Sequence, residues 1–174
     1  IVNEAIIAEE DKQAVEVVLD ELKVSESIKK KIREEFDHVL WLLDFDNRGH
    51  DIFRQWYVDG RVFYNVMLDP NNAKLGIQEL RYIDPRKIRR IKHVDKKKSD
   101  KGVELIKAVE EYYLYNDKGI TEQTMQGVKM SLDSVVFTPS GRVDQNTGMT
   151  LSYLHKAIKP VNQLKMMEDA LVIY

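Results

Sequence analysis

Two hydrophobic periods divide the chain, one helical and one of strand type. In "VSESIKKKIREEFDHVLWLLDF", Ile28, Ile32, Phe36, Val39, Leu40 and Leu43 fall on one helical stripe, and Ser25 or Ser27 is placed to cap it. The following "DNRGHD" interrupts the stripe, with Gly49 as the expected break. A second amphipathic helix, about Asp51–Asp59, carries Ile52, Phe53, Trp56 and Tyr57 and stops at Gly60. The pattern predicts a helical hairpin packed on a sheet. Ahead of it, residues 1–9 read as the end of a helix with Val2, Ala5 and Ile6 on one stripe. "QAVEVVLD", Gln13–Asp20, alternates Ala14, Glu16 and Val18 against Val15, Val17 and Leu19, which predicts a strand.

The middle of the chain has period two. "RVFYNVML" (Arg61–Leu68) alternates cleanly, "DPNNAKLG" is dense in turn residues, and "IQELRYI" (Ile77–Ile83) can pair back as a hairpin. Asp84-Pro85 ends that strand, because proline lacks a donor and excludes helical geometry from the residue before it. "KIRRIKHV" (Lys87–Val94) alternates with Ile88 and Arg89 on opposite faces until Ile91 breaks phase. "VEEYYLYNDKGI" (Val109–Ile120) reads as a strand ending in a turn at Asn116–Gly119, and "GVKM" and "SVVFTPSG" as shorter strands. Residues 95–102 read as a flexible loop and "RVDQNTGM" as another. From Thr150 the helical period returns through Leu151, Leu154, Ile158, Val161, Leu164 and Leu171, giving a helix over 150–174 that Pro160 should kink or divide. The expected class is α+β: amphipathic helices on a mainly antiparallel sheet, a long C-terminal helix, and one domain over 1–174.

A composition of 43% apolar and 32% charged residues is that of a globular chain, not a disordered one. The absence of cysteine excludes disulfides, thiolate metal sites and a cysteine nucleophile from these residues. No apolar run approaches the roughly 18 residues of a membrane span, so no membrane partner is evident. The chain opens without methionine at "IVNEAIIAEE" and ends in the apolar "MMEDALVIY", as an excerpt of a longer chain would.

The net charge of −2 hides an asymmetry. Arg81–Lys101 carries ten basic and three acidic residues, hence +7, and the remainder carries −9. Within that segment Arg86, Lys87, Arg89, Arg90 and Lys92 are the candidate contacts to a partner protein or to DNA. An acidic remainder argues against a general nucleic-acid coat.

Candidate chemistry is sparse. "DFDNRG" (Asp44–Gly49) imitates the start of a calcium loop, but Arg48 takes its fifth position and Gln55 stands where the closing glutamate belongs. His38, His50, His93 and His155 are scattered without ligand spacing. No nucleophile elbow, phosphate-binding glycine loop or zinc-protease motif occurs, so no catalytic, metal or cofactor residue is nominated and the chain does not read as an enzyme. The aromatics of "FRQWYVDGRVFY" and "EYYLY" could stack bases, but their spacing reads as core.

Four longer strings add what periodicity cannot. "IREEFDHVLWLLDFDNRGHDIFRQWYVDGRVFYNVMLD", "GIQELRYIDPRKIRRI", "EYYLYNDKGI" and "SYLHKAIKPVNQLKMMEDALVIY" resemble, in this order and over nearly the whole chain, the portal vertex proteins of T-even-type tailed bacteriophages. The resemblance implies a structural virion protein, made in the host bacterial cytoplasm and placed at one capsid vertex. The full-length protein would form a dodecameric ring that nucleates head assembly. It would meet the major capsid protein, the terminase and the neck proteins, and pass double-stranded DNA with weak contact. The resemblance places this segment in the wing, with residues 150–174 leading towards the stem. It implies no cofactor and no catalytic residue. On that reading the basic segment is a wing strand whose Arg86, Lys87, Arg89 and Arg90 face protein or solvent first, with weak electrostatic contact with DNA as the runner-up. The competing reading is a free-standing nucleic-acid-binding module that uses Arg81–Lys101.

Overall fold

The computed structural model describes residues 1–6, 15–98, 104–120 and 126–173. The chain divides into two compact units: Ile1–Arg61 with Pro139–Tyr174, and Val62–Thr138. Helices and antiparallel sheets make the fold α+β, as the order of periods requires.

Among its described residues the first unit holds four α-helices: α1 (Val2–Ala5), α2 (Glu26–Leu42), α3 (Phe45–Asp59) and α4 (Ile158–Ile173). Ile32, Phe36, Leu40 and Leu43 are half-buried at the predicted spacing in and just after α2. Ser25 occupies the N-cap position, but its hydroxyl bonds the Ser27 hydroxyl (3.0 Å) and caps no backbone N–H. The break between α2 and α3 falls at Asp44, not at Gly49. Asp44 is left-handed (φ 50°), and its carboxylate accepts from the Asn47 side chain at 2.7 Å. A short acidic side chain tolerates that conformation better than a bulky one. Gly49 instead lies buried inside α3, where a Cβ would come within 2.9 Å of the Phe45 ring. The "DFDNRG" string is therefore largely helix and forms no calcium loop.

Gly60 ends α3 in the left-handed region (φ 72°), as expected. The segment after Pro139 is tied to this helix end. Ser140 N donates to the Gly60 carbonyl (2.7 Å), Ser140 Oγ donates to the Leu151 carbonyl (2.6 Å), and the Tyr153 hydroxyl donates to the Ser140 carbonyl (3.1 Å). The Tyr153 ring stacks on Tyr57 (5.1 Å between centroids) and meets Trp56 at 5.2 Å.

Two expectations in this unit are corrected. The predicted strand Gln13–Asp20 does not form among its described residues, because 15–19 have no ladder partner; Gln13 and Ala14 lie outside the described residues. The C-terminal helix starts at Ile158 after a 3₁₀ turn (His155–Ala157), not at Thr150, and Pro160 is its third residue. N–H groups of a first turn have no intrahelical acceptor, so proline there starts a helix and has no ladder bond to break.

Among its described residues the second unit is built on two three-stranded antiparallel sheets. One has the order β2-β1-β6, from β1 (Arg61–Leu68), β2 (Ile77–Ile83) and β6 (Val135–Pro139). The other has the order β3-β4-β5, from β3 (Ile88–Lys98), β4 (Glu104–Tyr115) and β5 (Val128–Met130). The predicted hairpin pairs Phe63 with Ile83 and Tyr64 with Tyr82. Phe63, Ile83, Ile88, Tyr113 and Val135 form the core, flanked by Tyr115, Met130, Leu132 and Phe137. Phe63 stacks on Phe137 (4.9 Å) and meets Tyr113 edge-on (6.0 Å). The expected loop at 95–102 is corrected over Asp95–Lys98, which belong to β3 and pair with β4; residues 99–102 lie outside the described ones.

Two stability changes follow. Phe63→Ala should cost about 3–5 kcal/mol, read from urea denaturation, because it empties the centre of the aromatic cluster; an unchanged midpoint would move the core elsewhere. Gly60→Ala should cost about 1–2 kcal/mol or more, since it forces a left-handed alanine whose Cβ meets the Leu151 carbonyl oxygen at 2.6 Å.

Candidate basic interface

Strand alternation splits the basic run between the two faces of the second sheet. Ile88, Arg90, Lys92 and Val94 share one face of β3, and Arg89, Ile91 and His93 the other. Ile88 is buried opposite Tyr115, which anchors the start of the strand in the core. The register then sets Arg90 opposite Tyr113 and Lys92 opposite Glu111. β5 pairs only with Tyr113–Tyr115 of β4, so beyond those positions the β3–β4 hairpin is a two-stranded ribbon among the described residues.

Acids meet four of the five candidate cations. Arg86 donates to both Asp84 carboxylate oxygens, through Nη2 to Oδ2 at 2.6 Å and Nε to Oδ1 at 3.0 Å. Lys87 Nζ donates to Asp117 at 2.8 Å, and the Tyr115 hydroxyl donates to the same oxygen at 3.3 Å. Arg90 and Lys92 converge on Glu111; Arg90 makes the closer bond and Lys92 Nζ lies 3.2 Å from the other oxygen. Arg89 alone of the five makes no ion pair among the described residues, and it is exposed.

The titration behaviour follows these contacts. Hydrogen bonds from Arg90 and Lys92 hold the Glu111 carboxyl below its ordinary value. Lys87 does the same for Asp117, and Arg86 for Asp84. The bond to Asp117 raises Lys87 in turn. Glu111 and Asp117 are distant in sequence from the cations they neutralise, so a count along the run missed them. Pairing "KIRRIKHV" with "VEEYYLYND" as a hairpin is the signal that finds Glu111. An open cleft of about 450 Å³ borders the run, lined by Asn65, Arg81, Tyr82, Asp84, Lys87 and Tyr115 among others. Its mixed charges select no single ligand sign.

Among the described residues no group of three or more histidine, cysteine or acidic side chains could hold a metal ion, and no helix is long and apolar enough to cross a membrane. The described residues form small sheets, a ribbon carrying paired charges, and amphipathic helices. The profile of the family described as Bacteriophage T4-like portal protein (Gp20) matches residues 1–174, and the chain belongs to that family of structural phage proteins. It is 41% identical over 184 residues to a "Portal protein" of Vibrio phage KVP40, a match covering 100% of this chain and 35% of that relative. It is 38% identical over 188 residues to a "Portal protein" of Salmonella phage ViI, covering 100% of this chain and 34% of the relative. The chain thus spans about a third of the length of these relatives.

The neutralised ribbon makes two measurable demands. Glu111→Gln should tighten low-salt binding to duplex DNA and steepen the dependence of log affinity on log salt by about 1–2, because it frees Arg90 and Lys92, whereas Arg90→Ala should leave the wild-type affinity nearly unchanged. A steep wild-type slope abolished by Arg90→Ala would mean that the cations are available to phosphate. The depressed Glu111 and Asp117 carboxyls contribute stability that is complete above the ordinary carboxylate range and lost as pH falls through their lowered values. The urea midpoint should therefore fall between about pH 7 and about pH 3, less steeply in Glu111→Gln than in wild type.

Proposed function

We propose that the chain is the wing region of a portal protein whose full-length form assembles into a dodecameric ring at one capsid vertex. The observation that carries this reading is the family match along the whole chain, with two relatives named as portal proteins aligned over all of it. In this role the ring nucleates head assembly, docks the terminase, passes double-stranded DNA during packaging and ejection, and later meets the neck proteins. The terminase supplies the nucleotide hydrolysis, and the segment itself contributes protein surface to the capsid vertex. The basic strand faces protein or solvent. Its ion pairs with Asp84, Asp117 and Glu111 support that assignment over a DNA grip. A conduit also gains from weak contact, since strong phosphate binding would slow passage.

Light scattering and negative-stain electron microscopy on the full-length protein, across a range of concentration, test the reading. Closed rings are expected without nucleotide turnover by the portal alone. A protein that stays monomeric under assembly conditions would contradict it.

A further inference from the structure

One sequence signal finds no use within the chain: the alternation of Val15–Asp20. Leu19 is buried and Val15 and Val17 are half-buried, so one side of the segment is turned away from solvent. The other side presents Glu16, Val18 and Asp20, all exposed, with Val18 at 73%. Residues 15–18 make no backbone–backbone hydrogen bond among the described residues, and a turn closed by Leu22 N on the Leu19 carbonyl follows. A pattern suited to a sheet, with its backbone groups unpaired, is a strand awaiting an edge.

An edge of matching character exists. β3 pairs with β4 along one side and, among the described residues, with no strand along the other. Its Arg89–Ile91 stretch carries an exposed cation and a half-buried apolar side chain on one face. If Val18 is set beside Ile91, Glu16 or Asp20 falls beside Arg89, whichever direction the added strand runs. Opposite charges and paired apolar side chains each favour such neighbours, typically by about 0.2–1 kcal/mol, and like charges oppose them. The basic edge therefore discourages pairing with a second basic edge and admits an acidic strand.

We propose that Val15–Asp20 of one copy adds as a strand to the free edge of β3 in a second copy. The contact is heterologous, joining two different surfaces, and repeats head to tail until the ring closes. The inference rests on the ring-forming reading and assigns it one interface.

The chain contains no cysteine, so the contact can be tested by disulfide trapping. In the full-length protein, with any cysteines outside these residues replaced, Val18→Cys and Ile91→Cys are prepared separately, assembled together and oxidised. Directly paired strand residues lie within disulfide reach. A covalent dimer from the mixture is expected, with a ladder of higher multimers from the double variant, while Val58→Cys mixed with Ile91→Cys gives neither. Asp20→Lys with Glu16→Lys should reduce trapping several-fold, and Arg89→Glu should restore it. Rings that form without the Val18–Ile91 link would overturn this interface and leave the portal reading standing. A link confined within single chains would overturn it too. Absence of any oligomer would overturn both.

Discussion

A three-stranded sheet cannot stand alone in water unless an apolar face is covered, and in the second unit Phe63 is the residue on which that cover turns. It sits in β1 opposite Ile83, stacks on Phe137 of β6 and meets Tyr113 of β4. Its contacts thus join both sheets. Burial of such a ring contributes about 1.5–3 kcal/mol, and each aromatic pair about 0.5–1.5 kcal/mol more. Ile88 and Tyr113 reach the same cluster from the second sheet, so the cluster fixes the register of the β3–β4 ribbon. That register sets Lys92 opposite Glu111, with Arg90 two pairs away opposite Tyr113.

The electrostatics of the ribbon follow from that packing. A run of ten cations looks like a phosphate grip when read along the chain. Folded, five of its cations, Arg81, Arg86, Lys87, Arg90 and Lys92, make ion pairs among the described residues, and exposed pairs of this kind add little to stability. Their effect is to set the field: Glu111 and Asp117 cancel charge that DNA could otherwise use.

Much of the fold was legible because alternation and turn chemistry agreed. Arg61–Leu68 alternates, Ile77–Ile83 can pair back on it across a turn-rich link, and Gly60 and Pro85 punctuate them. The misses have physical causes. Asp95–Lys98 lacks strand propensity, and its place in β3 comes from pairing with Glu104–Ile106 and Ala108. Gly49 looked like a helix break because glycine usually is one, yet here it makes room for the Phe45 ring while Asp44 takes the left-handed turn. The apolar period runs on both sides of Pro160 and so predicts a kinked or divided helix, whereas local 3₁₀ geometry sets the helix start at Ile158. For three of the five candidate cations, Lys87, Arg90 and Lys92, the acidic partners were not legible, because only the fold of the hairpin brings Asp117 and Glu111 near them.

The central claim is that this segment supplies protein-facing structure to a ring and does not line its channel. A cryo-electron microscopy map of the assembled full-length protein tests it most directly. The account predicts that residues 1–174 project outward, with Arg89 and Ile91 of β3 against a neighbouring subunit. A map with Arg86–Lys92 facing the channel axis and the DNA would contradict it.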